Sequence, residues 1–148
     1  MQQVKNISVG DPMDENVRMG ALSSAEHLDK VLNYLNQAID EGAKVLCGGK
    51  MANTGGYFMS PVVMECTDDM TITTEEHFGP ICQLYKFSTE QEALERANNS
   101  ELGLAAGVFT NDHNRVDRVT HALDAGTGKT WGWPFSLLKF KSFGHVIK

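Results

Sequence analysis

The chain has 148 residues, 41% of them apolar and 22% charged, with a formal net charge of −6. That balance supplies enough apolar surface for one domain-sized core and excludes a disordered chain. No apolar run is long enough to cross a bilayer, and residues 1–127 carry −10 against four lysines and no acid in 128–148, a body that repels phosphate backbones and excludes nucleic acid as a partner.

Residues 1–22 read as irregular, because Ser8–Leu22 (SVGDPMDENVRMGAL) is rich in turn formers. Ser23-Ser24-Ala25-Glu26 then fits a capping box with Ser23 at the cap. Leu28, Val31, Leu32, Leu35, Ala38 and Ile39 follow at helical spacing, and Gly42 supplies a left-handed stop. Val45-Leu46-Cys47 before Gly48-Gly49 reads as a strand, and Pro61 to Cys66 as a second extended piece. Asp68-Asp69-Met70 starts a single helical turn. Ile81 to Phe87 reads as a buried strand. Ser88-Thr89-Glu90-Gln91 reads as a second capping box, opening a helix with Ala93, Leu94 and Ala97 on its apolar face. Leu104 to Phe109 is another apolar run. Asp112 caps a last helix with a stripe of Val116, Val119 and Leu123 and a stop at Gly126. This alternation predicts an α/β layer with parallel strands.

Cys47, Cys66 and Cys82 are odd in number and widely spaced, which fits neither a disulfide framework nor a zinc site. They read as reduced, buried thiols. The string GTGKT at 126–130 has the ending of a phosphate-binding loop. It lacks the required earlier glycine, since Leu123 holds that place, and it follows a predicted helix rather than a strand. The segment 128–148 differs from the rest: it has no clear period, and it holds both tryptophans and three of the seven phenylalanines.

Six strings in order (VGDPMDE at 9–15, EGAKVLCGG at 41–49, GGYFMSPVV at 55–63, MTITTEEHFGPI at 70–81, ANNSELGLAAGVFT at 97–110, RVTHALDAGT at 118–127) resemble consecutive landmarks of the aldehyde dehydrogenase superfamily. The flavour is closest to its betaine-aldehyde branch. The resemblance implies an α/β fold, a partial aldehyde dehydrogenase catalytic domain with a mostly parallel sheet flanked by helices. It places that partial domain at 1–127 and a divergent aromatic and basic tail at 128–148.

The resemblance also implies a site. In the family the second glutamate of the EE-x-FGP loop accepts hydrogen bonds from the ribose hydroxyls beside the nicotinamide, and the Phe contacts the nicotinamide ring. The matching residues are Glu76 and Phe78, so the implied cofactor is NAD or NADP. Such roles suit a bidentate carboxylate acceptor and a flat ring that restricts the cofactor's position. His77 stands where relatives carry an aliphatic residue.

The family's nucleophilic cysteine, glutamate base and dinucleotide-binding domain lie before the VGDP landmark, and none of the three cysteines matches the nucleophile. Cys82 lies nearest the loop, but no basic residue adjoins it to activate the thiol. No catalytic residue and no metal ligand is therefore expected here. The chain reads as a fragment of an NAD(P)-dependent aldehyde dehydrogenase without turnover of its own. The alternatives are a small-molecule or nucleotide-binding module built on the residual cofactor loop, and a part complemented by another chain. The starting Met and the unmatched tail point to a short reading frame in its own right. The expected setting is the cytoplasm, and the expected partner a second copy, docked through an exposed sheet edge or apolar face.

Overall fold

The computed structural model describes residues 1–49 and 55–131, the last five of these by backbone alone. The chain divides into two units, the first Met1–Lys86 and the second beginning at Phe87.

The first unit runs α1 (Gln2–Lys5), α2 (Ala25–Asp40), β1 (Lys44–Cys47), β2 (Val62–Glu65), α3 (Thr71–Thr74) and β3 (Ile81–Leu84). Its sheet has the order β1-β2-β3. β1 lies antiparallel to β2, and β3 parallel to it, with Val62 opposite Ile81 and Glu65 opposite Leu84. The core packs one face of α2 (Leu28, Val31, Leu35, Ala38) on Met59, Val62, Met64, Cys66, Met70, Ile72 and Ile81. Burial of this stripe is the main reason a 16-residue segment stays helical. No helix among the described residues is long and apolar enough to cross a membrane.

The ends of α2 show how sequence sets its limits. Gly42 takes φ 102°, the Gly42 N–H donates to the Ile39 carbonyl at 3.0 Å, and the Ala43 N–H donates to the Ala38 carbonyl at 2.8 Å. This double closure satisfies two orphan carbonyls. At the other end the cap is Ser24, one residue later than expected: its Oγ accepts the His27 N–H at 3.1 Å. Ser23 instead bonds the His27 ring at 2.8 Å. With Ser24 as cap, His27 rather than Glu26 sits three residues on, so no reciprocal glutamate bond closes the box.

The one-turn helix after Asp68-Asp69-Met70 forms as read. It has no side-chain cap of its own. Glu41 serves it from the end of α2, with Oε2 accepting the Thr71 N–H at 2.8 Å and Oε1 accepting the Thr71 hydroxyl at 2.7 Å. The segment before α2 is irregular apart from α1 and a single Val9–Met19 bridge. The strand expected over Ile81 to Phe87 stops at Leu84, and only Ile81 of it is buried. Among the described residues β3 has a neighbour on one side only. Cys82 and Leu84 lie on the face of β3 opposite Ile81 and are exposed. The buried-thiol expectation therefore holds for Cys47 and Cys66 and fails for Cys82.

The second unit runs α4 (Glu90–Asn98), β4 (Ala105–Phe109), α5 (His113–Ala122) and β5 (Thr127–Trp131). β4 and β5 pair in parallel, joined by α5, the expected strand-helix-strand unit. Thr89 caps α4 by accepting the Glu92 N–H at 3.1 Å, and Glu92 reaches back to the Ser88 N–H at 2.8 Å. Asp112 caps α5, accepting the N–H groups of Asn114 and Arg115. α5 ends at Ala122, before the expected Gly126 stop. Gly126 instead donates its N–H to the Gly103 carbonyl at 2.7 Å, fixing the approach to β5. The GTGKT string falls across that approach and into β5, so it forms no phosphate-binding loop. Residues 132–148 of the proposed tail lie outside the described residues.

Candidate cofactor-loop site

Glu75 to Ile81 joins α3 to β3 and carries the EEHFGP string. Its shape follows from close approach to α2. A Cβ on Gly79 would lie 2.4 Å from a methyl of Val31, so only glycine lets the turn lie this near the helix. After the turn, the Gly79 carbonyl accepts the Ile81 N–H at 2.8 Å, and the Pro80 carbonyl accepts the Val62 N–H at 2.8 Å. The loop is thereby tied to the sheet.

Phe78 sits at the apex with φ 52°, in the left-handed region. An aromatic side chain pays about 1–2 kcal/mol for this conformation, so the surroundings must hold it. Three contacts do. His77 Nδ1 accepts the Gly79 N–H at 3.0 Å. Lys30 Nζ donates to the Glu76 carbonyl at 3.5 Å. His27 Nε2 donates to the His77 carbonyl at 3.4 Å. The last bond fixes the His27 proton on Nε2, since a carbonyl only accepts; its Nδ1 is then free to accept the Ser23 hydroxyl.

The outcome is an exposed ring on a fixed backbone. Phe78 is 76% exposed. It lines a pocket of about 230 Å³ with Pro80, Met59 and the Met19–Leu22 segment. The Leu22 N–H donates to the Tyr57 carbonyl at 2.8 Å, which pins that facing wall. Glu76 is exposed as well, and its carboxylate makes no hydrogen bond among the described residues. Burial pushes the His77 ring below its ordinary range; the Glu76 carboxylate opposes that shift and Lys30 adds to it.

Glu76 and Phe78 thus lie on one turn, and both are exposed. Sequence reading missed His27 and Lys30. They occur on the polar side of α2, and helical periodicity gives such residues no role beyond solvation. Cys82 lies just beyond the loop on the exposed face of β3, while burial raises the Cys66 thiol. No group of three or more potential metal-ligating side chains is present among the described residues.

Residues 1–144 match the sequence model of the aldehyde dehydrogenase family. The chain is 52% identical over 134 residues to 4-trimethylaminobutyraldehyde dehydrogenase B of Danio rerio, covering 86% of this chain and 26% of that protein. It is similar to the NAD+ complex structure of aldehyde dehydrogenase from Bacillus cereus, with TM-score 0.81, 41% identity, and 92% of this chain and 28% of that one covered. It is also similar to betaine aldehyde dehydrogenase from Staphylococcus aureus in complex with NAD+, with TM-score 0.81, 36% identity, and 94% and 28% covered. The chain therefore spans about a quarter of the length of the relatives it matches, and NAD(P) use is a property of that family. On the family match, the shared fold and the ordered landmarks together, the chain belongs to the aldehyde dehydrogenase family.

Proposed function

We propose that this chain carries the nicotinamide-facing wall of an aldehyde dehydrogenase cofactor site, through Glu76 and Phe78. The observation that carries the reading is the turn at Phe78: a ring 76% exposed on a left-handed backbone, with an exposed carboxylate two residues before it. These groups fit the ribose hydroxyls and flat ring of a nicotinamide nucleotide. The Glu76 carboxylate accepts two hydroxyl hydrogen bonds, and Phe78 limits where the ring can sit. Bound there, NAD(P)+ would supply the hydride acceptor.

Turnover needs a nucleophile and a base. The resemblance places the family's own before the Val9–Glu15 landmark, and none of Cys47, Cys66 and Cys82 matches the nucleophile. Residues 1–148 therefore need a nucleophile and a base from outside this stretch for turnover. Affinity is expected to be weak, in the millimolar range, because two contacts offset little of the ordering cost of a flexible dinucleotide. NAD+ should shift the backbone amide resonances of Glu76 to Gly79 at millimolar concentration, and AMP should not. No response to NAD+ would end this reading. An aldehyde-dependent NADH signal lost in Cys82→Ala would establish a stand-alone enzyme instead.

A second reading concerns self-association. Leu102 and Leu104 are 60% and 88% exposed at the entry to β4. Two exposed leucines in one short segment favour a homodimer formed over that apolar surface. Size-exclusion chromatography tests it: Leu104→Asp should return a dimer to monomer. The division into a partial catalytic domain at 1–127 and an aromatic, basic tail at 128–148 belongs to the same proposal, as does a reducing, cytoplasmic setting, which the three free thiols favour.

A further inference from the structure

His77 stands between the two proposed cofactor residues, and the cofactor reading gives it no ligand. Its ring is half-buried, and its Nδ1 accepts the Gly79 N–H at 3.0 Å. Only a ring nitrogen without a proton accepts a hydrogen bond, so Nδ1 is bare and the ring is neutral with its proton on Nε2. The residue enclosed by this bond is Phe78, the one non-glycine at positive φ among the described residues. The bond bridges the position that most needs holding.

We propose that His77 is a pH-responsive positioning residue: its neutral ring locks the left-handed turn that presents Phe78, and protonation of Nδ1 turns the acceptor into a donor and frees the turn. A protonated Nδ1 faces the Gly79 N–H donor to donor, and the bond cannot persist. The charged groups around the ring are few. Glu76, on the same loop, favours the imidazolium. Lys30, from α2, disfavours it, and burial disfavours it most. His27 is the other titratable group on α2 that meets the loop. It holds the His77 carbonyl from Nε2. The direction follows. The turn is locked above the ordinary histidine value of 6.5, and the lock is lost as pH falls from there through the lowered value of the buried ring.

The consequence for cofactor binding rests on the proposed role of Phe78, but the test does not. In the full chain labelled with nitrogen-15, the His77 ring nitrogens and the Gly79 amide are followed by NMR from about pH 8 to about pH 5. The expected result is one shared transition with a midpoint below 6.5. In His77→Asn the side-chain oxygen can accept the same N–H and does not titrate, so the Gly79 amide should keep its high-pH position throughout. In His77→Leu it should sit at the released position even at high pH. A Gly79 amide that ignores the His77 titration, or that follows His27 instead, overturns the proposal. So does an unchanged transition in His77→Asn. Should His77→Leu fail to fold, the wild-type and His77→Asn titrations still decide. Adding NAD+ at high pH separates the two claims: an unperturbed Phe78 with the shared transition intact removes the cofactor reading and leaves this one standing.

Discussion

Among the described residues, the two units of the chain are held by different forces. In the first, α2 lays four buried residues on a three-stranded sheet, and Met59, Met64, Ile72, Val31 and Val62 are fully enclosed. In the second, Val119 is the one buried apolar residue among those described, and α4 buries none. What joins α4 to α5 is polar. Glu90 pairs with Arg115 at 2.9 Å and Arg118 at 2.5 Å. The Asn98 amide donates to the Ala122 carbonyl at 2.8 Å, and its oxygen accepts the Asp124 N–H at 2.8 Å. Exposed ion pairs contribute about 0–1 kcal/mol each, whereas each large side chain enclosed in a core contributes roughly 1.5–3 kcal/mol. The lesson is that the Glu75–Pro80 loop belongs to the unit whose described residues form a core. Its landmark turn is anchored on α2, the best-buried helix among the described residues.

The largest expected effects lie in the first unit. Gly48 has φ 82°, and a Cβ there would lie 1.6 Å from the Pro61 carbonyl oxygen. Gly48→Ala should therefore cost on the order of 3 kcal/mol or more, read from urea unfolding. Leu35→Ala empties a site buried at the centre of the α2 stripe and should cost about 2–5 kcal/mol by the same measurement. Ser24→Ala removes the α2 cap and should cost about 1 kcal/mol, while Ser23→Ala should cost less. In the monomer, Leu104→Ala, at an exposed position of the second unit, should change stability by less than about 0.5 kcal/mol. Equal costs for Leu35→Ala and Leu104→Ala would break the contrast between the units.

Acid sharpens the contrast from the other side. Hydrogen bonds from Arg118 and then Arg115 hold the Glu90 carboxyl down to about 2, against an ordinary value of 4.5. A depressed carboxylate stabilises the fold above its unfolded value, and that contribution is lost as pH falls through the folded one. The α4–α5 tie should therefore weaken between pH 4.5 and about 2, seen as acid-dependent loss of α5 amide protection, and Glu90→Gln should flatten the dependence. Thiol labelling gives the smallest and simplest readout: a soluble disulfide reagent should modify Cys82 first, with Cys47 and Cys66 protected by burial.

Much of this was legible in the sequence, for physical reasons that differ by residue. The α2 stripe and the Gly42 stop are local patterns, and both form as read. The capping site moved from Ser23 to Ser24 because two adjacent serines offer the same hydroxyl, and only the packing of Leu28 and Val31 selects the helix phase. Cys82 and Leu84 were misjudged because a run that is apolar on both faces does not say which face the core covers. At the site, Glu76 and Phe78 came from resemblance. The anchoring by His27 and Lys30 did not, since contacts across 46 and 50 residues leave no local signal.

Residue-resolved hydrogen exchange of the full chain tests the central claim most directly, namely that the unit bearing the proposed cofactor loop stands on its own core. The account predicts that the amides of Val31, Leu35, Val62 and Ile81 exchange at least about 100-fold more slowly than those of β4. Equal protection in the two units, or faster exchange at Val62 and Ile81 than at Ala106 and Val108, would contradict it.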